Sequence, residues 1–357
     1  MLNENVFYCG YSIGENSYEN VKKICKRYGS RILLIGGKKA LEAGKTLLCD
    51  ALKGSGMEIV ETVIHTTECT HAQITKVADL ARESHADMIF GMGGGKAIDT
   101  AKGAAWEAEL PVFTFPTIAA TCASTTALSV VYREDGSFEE FYFYDYPAVH
   151  CFIHLGIIAN APYIYLQAGM GDTIGKHFEC HFSARGDKLA HASALGREIS
   201  NMCYAPLYEH GVQALEDCKA HRCSDALKEA VLANIVSTGL VSLMVLDDYN
   251  CAIAHSVYYG MVLIPGYEEH NLHGNGVAYG VLIQLAVDQN LAEAKKVKEF
   301  LQKLGIRTTL KEMNIPLDRA YLKEMLTETV TGPDMEHIPY PVTEDMIFDA
   351  MVQVESL

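Results

Sequence analysis

The chain of 357 residues has one tryptophan, 10 prolines and, among its 11 cysteines, no C-x-x-C pair. An odd number of scattered thiols in so long a chain excludes a disulfide framework. It points to reduced, mostly buried cysteines and a cytoplasmic protein. Positive charge is scarce: 29 Lys and Arg stand against 45 Asp and Glu, a net charge of −16. That balance argues against a nucleic acid or an anionic membrane as partner and leaves a small-molecule substrate. No basic-then-apolar leader opens the sequence. The most apolar long stretch, Val231 to Leu246, carries Asn234, Ser237, Thr238 and Ser242. It reads as a buried core helix too short to span a bilayer. Internal repeats and low-complexity segments are also missing. A globular protein with room for two cores remains.

The most informative segment present is Phe90-Gly91-Met92-Gly93-Gly94-Gly95-Lys96-Ala97-Ile98-Asp99. An apolar strand, Met88-Ile89-Phe90, runs into four glycines within five positions, and a helical pattern follows at once. Glycines let backbone N–H groups approach a ligand, and a helix N-terminus carries partial positive charge, so the run suits a phosphate or pyrophosphate. Neither common nucleotide fingerprint fits. Phe90 and Ala97 break the Walker A pattern, and Lys96 replaces the last glycine of G-x-G-x-x-G. A ligand-free turn is the alternative.

Strand and helix patterns alternate through the first half. Strands are expected at 31–35, 58–64, 88–90 and 111–116, with helices over 38–52, 72–84 (Thr70 as N-cap) and up to about Glu107. Such alternation implies a mostly parallel sheet covered by helices, with ligands beyond the strands' carboxyl ends. Val130 to Ser137 reads as a strand entering a hairpin. After Pro162 the patterns are helical: 166–183, 188–202, 205–221, 224–246, 250–262, and more after Gly276. The expected organisation is an α/β domain over 1–160 and an all-helical domain over 161–357.

Three constellations could carry chemistry. Gly169-Met170-Gly171-Asp172 begins or interrupts a helix, His255 lies in an otherwise apolar helix, and His273 precedes another. One carboxylate and two imidazoles suit a divalent cation with an open position for a substrate oxygen. Each histidine also fits a hydrogen-bonded core residue, and Asp172 an N-cap. The loop Pro116 to Ser129 is rich in hydroxyls and small side chains. It could accept a flat ring or orient a carboxamide, or be a plain polar loop.

Five segments, taken in order, resemble the iron-type alcohol dehydrogenase and dehydroquinate-synthase superfamily, in its glycerol-dehydrogenase-like branch. They are GGGKAIDTAK (93–102), PTIAATCASTTALSVVY (116–132), APYIYLQAGMGDTIGK (161–176), AIAHSVYYG (252–260) and HGNGVAYG (273–280). The resemblance implies a Rossmann-like α/β domain and a helical domain with a nicotinamide cofactor between them. Gly94, Gly95, Lys96 and Asp99 would hold the pyrophosphate, and Thr117, Thr126, Leu128 and Tyr132 would flank the nicotinamide. Asp172, His255 and His273 match the family's metal ligands and would form the catalytic centre. Iron-dependent members carry another histidine four residues after the aspartate. Lys176 stands there, and His177 is rotated by about 100° off that face. Three protein ligands favour zinc over iron. The family also implies a homo-oligomer.

Two departures refine the expectation. Glycerol dehydrogenases have an aspartate where this chain has Cys122, a substrate-facing position. A neutral thiol tolerates an anionic substrate that a carboxylate would repel. The PTIAATCA segment and the stretch from His337 to Thr343 resemble a bacterial hydroxycarboxylate dehydrogenase. Interconversion of 2-hydroxycarboxylates and 2-oxo acids is therefore the leading expectation, with a glycerol or polyol dehydrogenase and a dehydroquinate-synthase-like lyase as alternatives. NAD-dependent relatives place an aspartate after the first strand to hold the adenosine ribose. Gly37, Lys38 and Lys39 here suit a 2′-phosphate, which favours NADP(H) over NAD(H).

Overall fold

A computed structural model describes residues 6–357. Eight strands are present among them: β1 (Gly10–Gly14), β2 (Arg31–Gly37), β3 (Glu58–His65), β4 (Met88–Gly93), β5 (Val112–Pro116), β6 (Leu128–Tyr132), β7 (Phe138–Phe143) and β8 (His150–His154). Six form one parallel sheet in the order β1-β8-β5-β4-β2-β3. β6 and β7 form a separate antiparallel hairpin, as the turn signal at 133–137 suggests.

Period-two side-chain alternation explains why β2, β4 and β5 lie mid-sheet. Leu33, Ile35, Ile89 and Val112 enter one apolar core. Their neighbours Ile32, Leu34, Met88, Phe90 and Phe113 enter another on the opposite face. A strand apolar on both faces is stable only where helices cover both. α1 (Lys38–Leu52), α2 (His71–Glu83) and α3 (Gly95–Glu107) follow β2, β3 and β4. Thr70 caps α2 by accepting the N–H of Gln73. Phe90, Phe115 and Phe152 join β4, β5 and β8 through ring contacts of 4.9 and 5.0 Å.

From β2 the chain steps outward to β3, whereas β4, β5, β8 and β1 lie on the other side. The order therefore reverses between β2 and β4. The carboxyl ends of such a pair border the crevice in which open α/β sheets bind ligands. β4 runs three residues further than expected, through Gly91 and Gly93, so most of the glycine run is strand.

Beyond Leu155 the described residues form only helices and connections. The ones that matter below are α4 (Tyr163–Ser183), α5 (Ile253–Val262) and α6 (His273–Val287). Asp172 was expected at a helix start or break, or as an N-cap. It lies instead in the middle of the uninterrupted 21-residue α4. The apolar stretch near 231–246 also differs from expectation. It belongs to a continuous helical run, Asp225–Met244, with a π-helical turn at Ala233–Ser237. Its 20 residues are enough to cross a membrane by length and composition, but 61% of its most apolar window is buried inside the fold.

Candidate functional site

Glycines in α4 and α6 set the distance between these helices. A Cβ on Gly274 would meet the Ala168 carbonyl oxygen at 1.8 Å, and one on Gly171 would meet the Gly274 carbonyl oxygen at 2.4 Å. Only hydrogen fits at either contact. This close approach brings His273, the first residue of α6, to Asp172 in the third turn of α4. α5 delivers His255 to the same carboxylate.

The ligand atoms of Asp172, His255 and His273 all lie within 4.8 Å of one another. His255 Nε2 and His273 Nε2 stand 3.5 and 3.4 Å from Asp172 Oδ1. These separations are long for hydrogen bonds. They match the roughly 3.3–3.6 Å edge of a tetrahedron whose corners lie about 2.0–2.2 Å from a central ion. Asp172 and His255 are buried and His273 is partly exposed, so the group has one open side. Burial opposes ionisation of Asp172, but the His273 and His255 imidazoles outweigh it and hold the carboxyl well below its usual range.

Glu179, which the sequence reading overlooked, fixes one ring. It is fully buried on α4. Its Oε1 accepts the N–H groups of Ala252 and His255, and its Oε2 lies 2.6 Å from His255 Nδ1. The carboxylate thus caps the start of α5 and accepts the Nδ1–H, which leaves Nε2 as the ring's ligand atom toward Asp172. A second carboxylate behind a ligating imidazole is typical of metal sites. Its spacing of seven from Asp172 puts both on one helix face, the one signal that could have found it. His177, expected off this face, instead stacks on Tyr204 with ring centroids 5.0 Å apart.

The opposite wall comes from the sheet. A Cβ on Gly93, whose φ of +155° disfavours other residues, would stand 3.9 Å from the Gly37 nitrogen, so the two strand ends meet. Gly94 caps α3 without a side-chain hydrogen bond, and the first turn of α3 has no acidic residue. Its N–H groups stay available to an anion. Lys38 and Lys39 are exposed at the start of α1, also without an acidic neighbour in that turn. The Lys96 ammonium pairs with Glu68.

Asp99 is buried. One oxygen pairs with Lys102 Nζ at 2.9 Å and the other accepts the Val130 N–H at 3.2 Å. Both contacts lie inside the protein, so Asp99 braces β6 against α3. Lys102, unremarked in the sequence, is the centre of that brace. Its ammonium also donates to the Ala123 carbonyl, to Thr126 Oγ1 and to the Leu128 carbonyl. The loop after β5 is thereby pinned, and Thr126 and Leu128 act in this pinning. Thr117 donates its N–H to the Gly93 carbonyl at 3.0 Å. Tyr132 ends β6, half-buried.

The same loop reaches the helical half. Thr125 donates to the Ile235 carbonyl at 2.6 Å, and Asn234 donates to the Ala119 carbonyl at 2.9 Å. A Cβ on Gly169 would meet that Ala119 oxygen at 2.0 Å. Ala119 therefore rests on α4 one turn before Asp172. Burial pushes the Cys122 thiol up to about 11, with the Asp172 charge adding to the effect. The thiol is accordingly protonated and poorly nucleophilic.

A model of the iron-containing alcohol dehydrogenases matches residues 10–150. The chain is 32% identical over 298 residues to a glycerol dehydrogenase of Citrobacter freundii, an alignment covering 81% of this chain and 80% of that one. It is also 32% identical over 335 residues to hydroxycarboxylate dehydrogenase A of Escherichia coli, covering 92% and 90%. The crystal structure of glycerol dehydrogenase from Schizosaccharomyces pombe superposes with a TM-score of 0.90 at 25% identity, covering 100% of this chain and 91% of that one. With that fold, and with that identity along nearly its whole length, the chain belongs to the iron-containing alcohol dehydrogenase family, in its glycerol-dehydrogenase-like branch.

Proposed function

We propose that this alcohol dehydrogenase is a zinc- and NADP(H)-dependent enzyme that interconverts small 2-hydroxycarboxylates and 2-oxo acids. The carrying observation is the meeting of loop and helix: Ala119 rests on Gly169, one turn from Asp172, so the glycine run and the acid–imidazole cluster share one cleft. The donor set of one carboxylate and two imidazoles, with each imidazole at a tetrahedral-edge distance from Asp172 Oδ1 and His255 Nδ1 held by Glu179, fits zinc. The uncapped start of α3 fits a pyrophosphate. When bound, the ion would supply Lewis-acid polarisation of the substrate oxygen and the nicotinamide a site for the hydride.

The chain's own groups perform the rest. Asp172, His255 and His273 would hold the substrate oxygen's partner in place. Glu179 keeps His255 from turning. The Lys102 brace pins the 117–128 loop, which would bear on the nicotinamide ring and so help to position it and exclude water. Cys122, protonated and neutral, leaves room for an anionic substrate. Lys38 and Lys39 occupy the positive end of the α1 dipole, a position that disfavours cations unless an anion is present, and a 2′-phosphate satisfies it.

A polyol dehydrogenase is the second reading, favoured by the glycerol dehydrogenase relatives. One assay separates them. Zinc-loaded enzyme is given NADPH with 2-oxobutyrate, and NADP+ or NAD+ with glycerol, while reduced nicotinamide is followed by absorbance. Faster turnover of the oxo acid supports the first reading. Efficient glycerol oxidation without oxo acid reduction establishes the second.

A further inference from the structure

Lys176 lies one helical turn beyond Asp172 on α4, on the same face. It is only 8% exposed. Its ammonium donates to the Asn250 carbonyl at 2.6 Å and to Asn250 Oδ1 at 3.2 Å. An ammonium has three N–H donors, so one remains. Among the described residues no carboxylate comes within 4.0 Å of it. Lys176 lies between Asp172 and Glu179 on α4, four residues after the one and three before the other, which places it beside the acid–imidazole cluster.

The other buried lysines have compensation. Lys102 pairs with Asp99. Lys298 donates to the Val354 carbonyl in the last turn of a helix, where the dipole is negative. Lys176 has two neutral acceptors, no carboxylate in contact and one N–H to spare, a donor left for an anion that arrives with a ligand.

We propose that Lys176 recognises the substrate carboxylate: its remaining N–H, beside Cys122 and one turn from Asp172, receives the carboxylate of a 2-oxo acid whose keto oxygen faces the Asp172–His255–His273 cluster. This deepens the substrate reading above and rests on it. Cys122 is the complementary feature. A carboxylate at position 122 would neutralise Lys176 internally and compete with the substrate for it.

The test compares wild type with Lys176→Met, both zinc-loaded, on 2-oxobutyrate and on the neutral ketone hydroxyacetone. The ratio of kcat/KM between the two substrates is expected to fall about tenfold to a hundredfold, carried by KM for the oxo acid. An unchanged ratio overturns the proposal. Inhibition by oxamate, a carboxylate that is not reduced, is measured against the neutral substrate in parallel, and its inhibition constant should rise by the same factor. If wild type reduces no oxo acid yet oxamate inhibition depends on Lys176, the carboxylate site stands and the substrate reading fails. If oxamate binds both proteins alike, the carboxylate site fails whatever the substrate. Should Lys176→Met not fold, Cys122→Asp keeps the lysine and supplies an internal anion. It is expected to lower the same ratio, and an unchanged ratio there also overturns the proposal.

Discussion

Glu179 Oε2 lies 2.6 Å from His255 Nδ1, and the other oxygen of the same carboxylate holds the first N–H groups of the helix that carries His255. One buried acid thus sets both the position and the tautomer of an imidazole. Glu179→Gln is expected to weaken zinc binding about 10–100-fold while the fold survives. Metal titration with a chromophoric chelator would measure it. Unchanged affinity would show that His255 is oriented by other means.

Helix spacing gives a second prediction. Gly274→Ala puts a methyl where the Ala168 carbonyl oxygen already stands, 1.8 Å from the new carbon. α4 and α6 must separate, at about 1–3 kcal/mol. Both the thermal midpoint and the bound metal should fall. Loss of stability with full metal content would separate packing from the site.

The Lys102–Asp99 pair, 2.9 Å apart and buried, predicts non-additive energetics. Lys102→Met or Asp99→Asn alone leaves one uncompensated buried charge or unmet partner and is expected to cost about 3–5 kcal/mol. The double variant should cost less than the sum of the two. Denaturant unfolding of the four proteins closes the cycle.

Cofactor choice is tested at α1. Lys38→Gln with Lys39→Gln is expected to raise KM for NADPH about tenfold or more and to leave KM for NADH within about twofold, because only the 2′-phosphate loses its charge partners. Equal effects on both cofactors would assign the lysines to general electrostatics.

Two histidines predict acid sensitivity. Burial pushes His150 and His177 down to about 4. An unfolded chain takes up these protons near pH 6.5, whereas the folded protein resists until about pH 4. Unfolded protein therefore binds more protons across that window, and stability falls as pH drops from 6.5 to 4. Each group contributes roughly 1–3 kcal/mol to that fall. His177→Asn should flatten the dependence measured by denaturant unfolding, and an unaltered pH slope would count against it.

β2, β4 and β5 were legible because they are almost continuously apolar, and β3 because Ile59, Val60, Thr62, Val63 and Ile64 make it rich in β-branched residues. β1 and β8, which complete the sheet, were not anticipated: GYSIG and HCFIH are five residues long and carry glycine or histidine where an apolar run is sought. Asp172, His255 and His273 were found through family resemblance, since their spacing alone resembles many core residues. Glu179 and Lys102 were missed for a physical reason. The partners that define their roles, His255 for Glu179 and the Ala123 and Leu128 carbonyls for Lys102, lie on elements that only the folded chain brings near. The glycines of α4 misled in the same way: they read as helix breakers, yet here tertiary contact requires them.

α4 presents Gly169, Asp172, Lys176 and Glu179 in steps of three, four and three residues, about 15 Å of one helix face. The first rung rests on the loop after β5, the second belongs to the acid–imidazole cluster, the third bears the proposed carboxylate contact, and the fourth is the buried acid behind His255. The backbone of one helix therefore keeps these positions in register, provided that Gly169 and Gly171 stay glycine. A change at position 176 alters what the pocket accepts without shifting the rungs on either side. Diversification of substrate along such a ladder needs single substitutions, and no rearrangement of the scaffold that positions the chemistry.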